Sequence, residues 1–114
     1  MNNLVSIITP SYNSSKFIEE CINSVITQSY IDWEMIIVDD YSTDNSRDLI
    51  LKFAKEDNRI NPIFLDENLG AAAARNIAIK QSKGKYIAFL DSDDIWKSEK
   101  LEKQLSFMND RNIA

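Results

Sequence analysis

Short apolar runs and amphipathic segments follow one another in a regular order along this chain. Each apolar run is rich in β-branched and aromatic residues, which is typical of buried strands in a parallel sheet. The runs lie at 4–9 (LVSIIT), 33–38 (WEMIIV), 60–65 (INPIFL) and 86–90 (YIAFL). We interpret the last run as a central strand. We expect Pro10 to end the first strand, and Pro62 to place the third at an edge, because proline cannot donate to a central ladder.

An amphipathic helix is predicted after each strand, because apolar residues recur there at helical spacing. The apolar stripes are formed by Phe17, Ile18, Cys21, Ile22, Val25 and Ile26 in the first helix, by Leu49, Ile50, Phe53 and Ala54 in the second, and by Leu101, Leu105 and Met108 in the fourth. The third helix is predicted from about Leu69 to Ser82, with Gly84 ending it. This alternation predicts an α/β fold with a Rossmann-like, mostly parallel sheet and right-handed crossovers.

Acidic residues come directly after three of the apolar runs, at the expected carboxyl edge of the sheet. They are Asp39 and Asp40, then Asp66, then Asp91, Asp93 and Asp94. Ligands bind at this edge in open α/β sheets. Clustered carboxylates repel one another unless a cation offsets their charge, and oxygen ligands favour Mg, Mn or Ca. Arg75 lies one turn into the third helix, within reach of a phosphate. The pattern therefore fits a metal-bound diphosphate.

A competing interpretation treats the same polar residues as helix caps and turn formers. It applies to Asp94 or Ser92 before the fourth helix, Ser14 or Ser15 before the first, and Ser42 or Thr43 before the second. We favour it for Asp40, Ser42, Asp44 and Asp66. Asp39, Asp91 and Asp93 fit it less well, because they directly follow apolar strands.

Composition narrows the class of function. The chain has 114 residues, of which 44% are hydrophobic, enough for one globular domain. A net charge of −5 argues against nucleic acid as a partner, and the absence of histidine excludes the usual zinc sites. A single cysteine, Cys21, excludes an internal disulfide and has the spacing of a core residue. Without a leader or a transmembrane stretch, we expect a cytoplasmic location, leaving peripheral attachment to the inner face of the membrane open.

Four motifs resemble those of the family-two inverting glycosyltransferases. They are SIITPSYN at 6–13, VDDYSTDNS at 38–46, NLGAAAARN at 68–76 and YIAFLDSDD at 86–94. The resemblance covers essentially the whole chain. It implies the GT-A fold and transfer of a sugar, with inversion, from a nucleotide-diphospho-sugar, expected to be a UDP-sugar. The implied acceptor is a saccharide or a lipid-linked group, and the implied pathway is surface polysaccharide synthesis.

The resemblance also implies which residues bind the nucleotide. Thr9, Pro10 and Tyr12 are expected to border the base. Asp39 is expected to accept a hydrogen bond from the base ring, usually uracil, whose N–H is a donor. Arg75 is expected near the base and the diphosphate.

The Asp-x-Asp motif implies the metal site. Asp91 is expected to face the ribose or a metal-bound water, Ser92 to lie in the donor site, and Asp93 to bind Mn or Mg. That cation stabilises the leaving diphosphate as a Lewis acid. Trp96 matches a frequent aromatic residue of the family, with simple core packing as the alternative interpretation.

A complete domain of this family is roughly twice as long, within the usual range for one domain. The resemblance therefore implies that residues 1–114 form a single nucleotide-diphospho-sugar-binding domain that lacks the acceptor half. The general base is expected beyond Ala114, so we predict nucleotide binding without sugar transfer. We also predict a homodimer formed through apolar surface left exposed.

Three rival functions require different sequence features in the loops that follow the strands. A sugar nucleotidyltransferase needs a glycine-rich loop after the first strand, where this chain has Pro10 to Asn13 and no glycine. A signalling receiver domain needs an acidic pair after the first strand and a lysine after a fifth, and neither is present in the predicted arrangement. A nucleotide-binding module without catalysis remains open.

Overall fold

The computed structural model describes residues 3–110, with side chains described as far as residue 106. The elements are β1 (Val5–Ser11), α1 (Ile18–Ile26), β2 (Trp33–Asp39), α2 (Ser46–Glu56), β3 (Ile60–Phe64), α3 (Ala71–Gln81), β4 (Tyr86–Phe89) and α4 (Lys100–Asp110). Residues 1–2 and 111–114 of the predicted domain lie outside the described residues. So does the side chain of Met108, which was predicted on the apolar face of α4. No helix between residues 3 and 110 is long and apolar enough to cross a membrane.

The four strands of residues 3–110 form one parallel sheet in the order β3-β2-β1-β4. This confirms the α/β class with alternating strands and helices, and the edge position of β3. The interpretation of β4 as a central strand is wrong, because it lies at the opposite edge. Its apolar run suggested cover on both faces, but Ile87 and Phe89 are 43% and 58% exposed. Only the face that carries Tyr86 and Leu90 is buried.

The sheet separates two apolar cores. On one face, Ile7, Met35 and Ile37 pack with α1, α2 and α4. On the other face, Ile8, Ile36 and Val38 pack against α3. Alternate residues of a strand point to opposite faces, so the continuous apolar runs of β1 and β2 are explained by cover on both sides. Small alanines, Ala74 and Ala78, form the buried side of α3 and are fully buried against the sheet.

The prediction that Pro10 ends the first strand is wrong. Strand β1 continues to Ser11, and Pro10 lies opposite Val38 in the ladder with β2. The carbonyl of Ile8 accepts a hydrogen bond from Leu90, so the backbone of Ile8 faces β4. Backbone polar groups alternate in direction along a parallel strand, so Pro10 also faces that side, where β4 has already ended. The missing N–H of proline therefore removes no ladder bond.

Gly84 has a different role from the predicted helix end. Helix α3 ends at Gln81 with Ser82 as its cap, and Gly84 lies in the connection to β4. A Cβ atom at Gly84 would lie 2.6 Å from the Leu4 carbonyl oxygen and 2.6 Å from Ser6 Oγ. Glycine is needed there because the backbones of the connection and β1 approach closely.

Candidate functional site

An open cleft of about 320 Å³ lies at the carboxyl edge of the sheet, beyond the ends of β1 and β4 and beside the start of α3. It is lined by Pro10, Ser11, Tyr12, Asn13, Ser14, Phe17, Asp40, Ala71, Arg75, Asp91, Ser92 and Asp93. The fold therefore gathers six of the eight predicted site residues around one space: Pro10, Tyr12, Arg75, Asp91, Ser92 and Asp93. Thr9 and Asp39 lie outside the lining.

Three exposed carboxylates form a cluster at one end of the cleft. One oxygen from each of Asp91, Asp93 and Asp94 lies within 4.8 Å of the others. The backbone folds into a turn here, with the Asp94 N–H donating to the Asp91 carbonyl at 3.0 Å. Convergent carboxylate oxygens suit a hard divalent cation such as Mg, Mn or Ca, so the side chains present fit the predicted metal.

The cluster does not cap α4, which begins only at Lys100. The capping interpretation of Asp94 and Ser92 is therefore wrong. It is also wrong for the first two helices, because neither Phe17, the N-cap of α1, nor Asn45, the N-cap of α2, makes a side-chain capping bond. At α1, the Ser14 backbone carbonyl accepts from the N–H groups of Phe17 and Ile18 at 2.9 and 2.8 Å.

Arg75 is the cationic side chain among the cleft residues. Its Nη2 lies 3.2 Å from Asp91 Oδ1, with the two side chains 39% and 53% exposed. An exposed ion pair of this kind contributes little to stability, because water screens it and ordering two side chains costs entropy. The guanidinium is therefore placed at the acidic cluster but remains accessible to an anion entering the cleft.

Cys21 lies behind the acidic cluster, with its Sγ 3.5 Å from the Asp91 carbonyl oxygen. Burial, and then the nearby carboxylates of Asp94, Asp93 and Asp91, raise the pKa of this thiol to about 12. A raised pKa disfavours the reactive thiolate and agrees with a structural role for Cys21. The predicted core position is confirmed, since the side chain is fully buried.

Two predicted donor-site residues are buried behind the cleft wall. Thr9 is fully buried, and its Oγ1 has no hydrogen-bond partner within the described part of the chain. Asp39 is fully buried, and both carboxylate oxygens are occupied by protein donors. Its Oδ2 accepts from the Ser42 N–H at 2.9 Å and from Arg47 Nε at 2.8 Å, and its Oδ1 accepts from Ser42 Oγ at 2.6 Å.

Asp40 and Phe17 reach the cleft, although the sequence pattern suggested other roles. Asp40 accepts from the backbone N–H groups of Leu69 and Gly70 at 2.7 and 2.9 Å, which fits the predicted turn-forming role, and it also lines the cleft. Phe17 was predicted on the apolar stripe of α1 but is 51% exposed. Its spacing from Cys21 and Val25 placed it on the stripe, and only the structure shows that α1 begins after it, at Ile18.

Other polar residues of the two neighbouring loops have structural partners. Burial acts to raise the pKa of Asp44, but hydrogen bonds from Ser46 and Ser15 outweigh it and hold the pKa below its ordinary value. Asp44 accepts from the backbone N–H groups of Ser46 at 2.9 Å and Ser15 at 3.2 Å, which agrees with its predicted turn-forming role. Trp96 packs against the core of α1, and its backbone N–H donates to Ser24 Oγ at 3.2 Å, which agrees with the core interpretation.

The chain is similar in sequence to proteins named as glycosyltransferases. A Bacillus subtilis protein named as a teichuronic acid biosynthesis glycosyltransferase, TuaG, is 57% identical over 111 residues, which are 97% of this chain and 44% of TuaG. The Escherichia coli β-1,3-glucosyltransferase WfgD, named for UDP-Glc and α-D-GlcNAc-diphosphoundecaprenol, is 50% identical over 97% of this chain and 43% of its own length. The chain thus spans less than half of each relative.

A solved structure shares the fold. The Staphylococcus aureus protein TarS, residues 1–349 in complex with UDP-GlcNAc, superposes with a TM-score of 0.87 and 35% sequence identity. The match covers 93% of this chain and 31% of TarS. Residues 6–114 match the sequence profile of glycosyl transferase family 2, which is nearly the whole chain. The chain therefore belongs to glycosyl transferase family 2.

Proposed function

We propose that this chain binds a nucleotide-diphospho-sugar as the donor half of an inverting glycosyltransferase. The observation that carries the proposal is the juxtaposition, in one cleft, of an exposed carboxylate cluster, Arg75 and two half-exposed aromatic rings, Tyr12 and Phe17. Each part matches one part of such a donor: a cation and a guanidinium suit the diphosphate, and aromatic faces suit a base. WfgD is named for UDP-Glc and TarS was solved in complex with UDP-GlcNAc, which favours a UDP-sugar here.

The base is proposed to lie between Tyr12 and the start of α3, bordered by Pro10. Asp40 is the carboxylate that lines this part of the cleft, whereas Asp39 lies behind it with both oxygens occupied. An ionised carboxylate has about four acceptor positions, so Asp40 retains capacity for a uracil N–H beyond its two backbone donors. We therefore propose Asp40 as the acceptor for the base, with Thr9 and Asp39 supporting the wall.

Asp91 and Asp93 are proposed to hold Mn or Mg, with Asp94 close enough to contribute a third oxygen and Ser92 between them in the cleft. When bound, the cation supplies Lewis-acid stabilisation of the leaving diphosphate. Arg75 adds a positive charge on the same side and orients the phosphates through its forked donors.

The acceptor is proposed to be a saccharide or a lipid-linked sugar diphosphate of surface polysaccharide synthesis, in keeping with the names of TuaG and WfgD. A lipid-linked acceptor requires the enzyme to work at a membrane surface, and we propose the cytoplasmic, inner face. We propose that the general base is supplied from outside residues 1–114, so that the isolated chain binds donor without transferring sugar.

Self-association is proposed at the β4 edge. Ile87, Phe89 and Ile95 are 43%, 58% and 61% exposed, and the outer side of β4 has no partner strand among residues 3–110. Exposed apolar strand edges favour pairing with another chain. Sedimentation over a range of concentrations tests this, and a monomer at high concentration contradicts a homodimer.

Calorimetric titration of UDP into the chain, with and without Mn, tests the donor site. We expect binding that Mn strengthens, and we expect Asp93→Asn to abolish that gain while leaving the fold intact, because Asp93 is exposed. Asp48→Asn, an exposed acid of α2 outside the cleft, is the matched control and should bind as the unmodified chain does. Absence of binding at millimolar UDP, or a gain from Mn that survives in Asp93→Asn, would overturn the proposal.

A further inference from the structure

The buried carboxylate of Asp39 connects the β2–α2 loop to one wall of the cleft. Ser42 Oγ donates to Asp39 Oδ1 at 2.6 Å and at the same time accepts from the backbone N–H of Asn13 at 2.9 Å. Asn13 follows Tyr12, and both residues line the cleft. A chain of two hydrogen bonds therefore joins Asp39 to the loop that forms the cleft wall, and its second bond connects Ser42 and Asn13 across 29 residues of sequence.

The wall loop has a backbone conformation that requires support. Asn13 has φ = +48°, in the left-handed region, which asparagine adopts more readily than most non-glycine residues but still at a cost that surrounding contacts must offset. The contacts come from the β2–α2 loop: Asn13 Oδ1 accepts from the N–H groups of Thr43 and Asp44 at 2.8 and 3.3 Å. The Ser42 Oγ contact holds the N–H of the same residue, so the conformation of Asn13 depends on where that loop is placed.

Asp39 fixes the position of that loop. Its Oδ2 binds the Ser42 N–H and Arg47 Nε, and Arg47 Nη2 also donates to the Leu65 carbonyl oxygen. The Arg47 guanidinium lies 5.3 Å from the centroid of the Phe64 ring, so it is held against β3. Because Asp39 is fully buried, these hydrogen bonds are not exchanged readily for water.

We propose that Asp39 is a positioning residue. Through Ser42 and Asn13 it sets the conformation of the cleft-lining loop that contains Tyr12 and Asn13, and so the affinity of the cleft for the nucleotide. This inference rests on the proposed donor-binding function of the same cleft. It differs from a role as a direct ligand, because the effect of Asp39 passes through Ser42, a residue outside the cleft lining.

A double-mutant cycle separates the two roles. Asp39→Asn keeps the shape but turns an amide towards the donors of Ser42 and Arg47, and Ser42→Ala removes only the connecting hydroxyl. Each variant should weaken Mn-dependent UDP binding about tenfold, the effect expected for loss of a charge-assisted hydrogen bond. Because both variants break the same chain of contacts, the double variant should bind UDP no more weakly than the weaker-binding single variant. Additive losses, or full affinity in Ser42→Ala, would overturn the proposal.

Asp57→Asn provides the matched control, since Asp57 also pairs with an arginine, Arg59, but away from the cleft. It should leave UDP affinity unchanged. A tenfold loss in this control as well would show that the effect follows general destabilisation, and would overturn a specific role for Asp39.

Amide hydrogen exchange gives a readout that needs no nucleotide. Exchange at Asn13 should accelerate in Asp39→Asn and Ser42→Ala, whereas the Met35 amide, bonded to the Arg59 carbonyl at 2.8 Å in β2, should stay protected. Unchanged exchange at Asn13 in Ser42→Ala would overturn the proposal. If the unmodified chain fails to bind UDP, the proposed function fails, while exchange at Asn13 still decides whether Asp39 positions the wall. If Asp39→Asn unfolds, Ser42→Ala decides alone.

Discussion

Two aspartate–arginine pairs lie at opposite edges of the sheet, and they have different consequences. At the amino edge, before β3, Arg59 contacts Asp57 through Nη2 at 2.7 Å and Nε at 3.0 Å, and its guanidinium lies 3.8 Å from the Trp33 ring centroid. At the carboxyl edge, Arg47 contacts Asp39 at 2.8 Å. The first pair joins residues two apart and closes a local turn. The second connects two loops and the cleft wall, so an aspartate–arginine pair here holds together segments that are distant in sequence.

The two edges also differ in how their carboxylates are satisfied. At the amino edge, Glu34 Oε2 accepts from Ser6 Oγ at 2.6 Å and from the Lys83 N–H at 2.7 Å. At the carboxyl edge, Asp91, Asp93 and Asp94 are exposed and close together, with Arg75 beside them. Mutual repulsion of such carboxylates is relieved by a bound cation, whereas Glu34 is already stabilised by the protein. Glu34 at the amino edge therefore stabilises the fold, whereas the exposed cluster at the carboxyl edge agrees with the binding role proposed for it.

The largest expected effect at the amino edge is that of Gly84→Ala. Its Cβ would lie 2.6 Å from a backbone oxygen of Leu4 and 2.7 Å from the Ser6 nitrogen, which cannot move without displacing β1. We expect a loss of about 3 kcal/mol in the free energy of unfolding. Urea denaturation followed by circular dichroism measures it.

Gly70→Ala is the comparison at the carboxyl edge. Gly70 has φ = +97° with no atom within 4 Å of an added Cβ, so only backbone strain of about 1–3 kcal/mol is expected there. Because the Gly70 N–H is bonded to Asp40 in the cleft, this variant should also weaken UDP binding. A smaller destabilisation for Gly84→Ala than for Gly70→Ala would contradict the steric account.

Ser6→Ala should have the next largest effect. The Ser6 hydroxyl is buried, donates to Glu34 and accepts from the Gly84 N–H at 2.8 Å, so its removal leaves a buried carboxylate and a backbone donor short of partners. We expect a loss of about 2 kcal/mol in the free energy of unfolding, with UDP affinity unchanged. Ser29→Ala removes an exposed serine–glutamate bond, to Glu102, and should cost less than about 0.5 kcal/mol. Equal losses in the two variants would contradict the assignment of the amino edge to stability.

The smallest effect concerns the pH dependence of the Asp57–Arg59 pair. Hydrogen bonds from the Arg59 side chain hold the pKa of Asp57 below its ordinary value, against the opposing effect of burial. A carboxylate with a lowered folded pKa stabilises the fold above its unfolded pKa of about 4, and this stabilisation is lost as the pH falls through the folded pKa. We expect this pair to contribute about 0.5 kcal/mol to the free energy of unfolding above the unfolded pKa. The Asp57→Asn variant should therefore lose about that much less stability on acidification than the unmodified chain. Identical plots of the free energy of unfolding against pH for the two proteins would contradict the prediction.

The order of elements could be predicted from the sequence because it depends on local patterns. Apolar runs and helical stripes are decided within a few residues, so alternating strands and helices, and an acidic carboxyl edge, follow directly. The placement of Arg75, Asp91 and Asp93 at a common cleft was also predictable, because the carboxyl ends of parallel strands and the helix starts after them meet at one edge.

The positions of Asp39 and Asp40 were decided only by the tertiary structure. The two residues are adjacent, chemically identical and both buried, but Asp39 still pairs with Ser11 in the β1–β2 ladder and lies outside the cleft lining, whereas Asp40 lies past the strand and lines the cleft. The contact between Ser42 and Asn13 likewise joins residues 29 positions apart. Local pattern carries no signal for such contacts, because they arise when two loops pack together after the sheet has formed. The sequence by itself thus determined which edge of the sheet gathers the acidic residues, and the packing of the loops determined which of the two carboxylates borders the cleft.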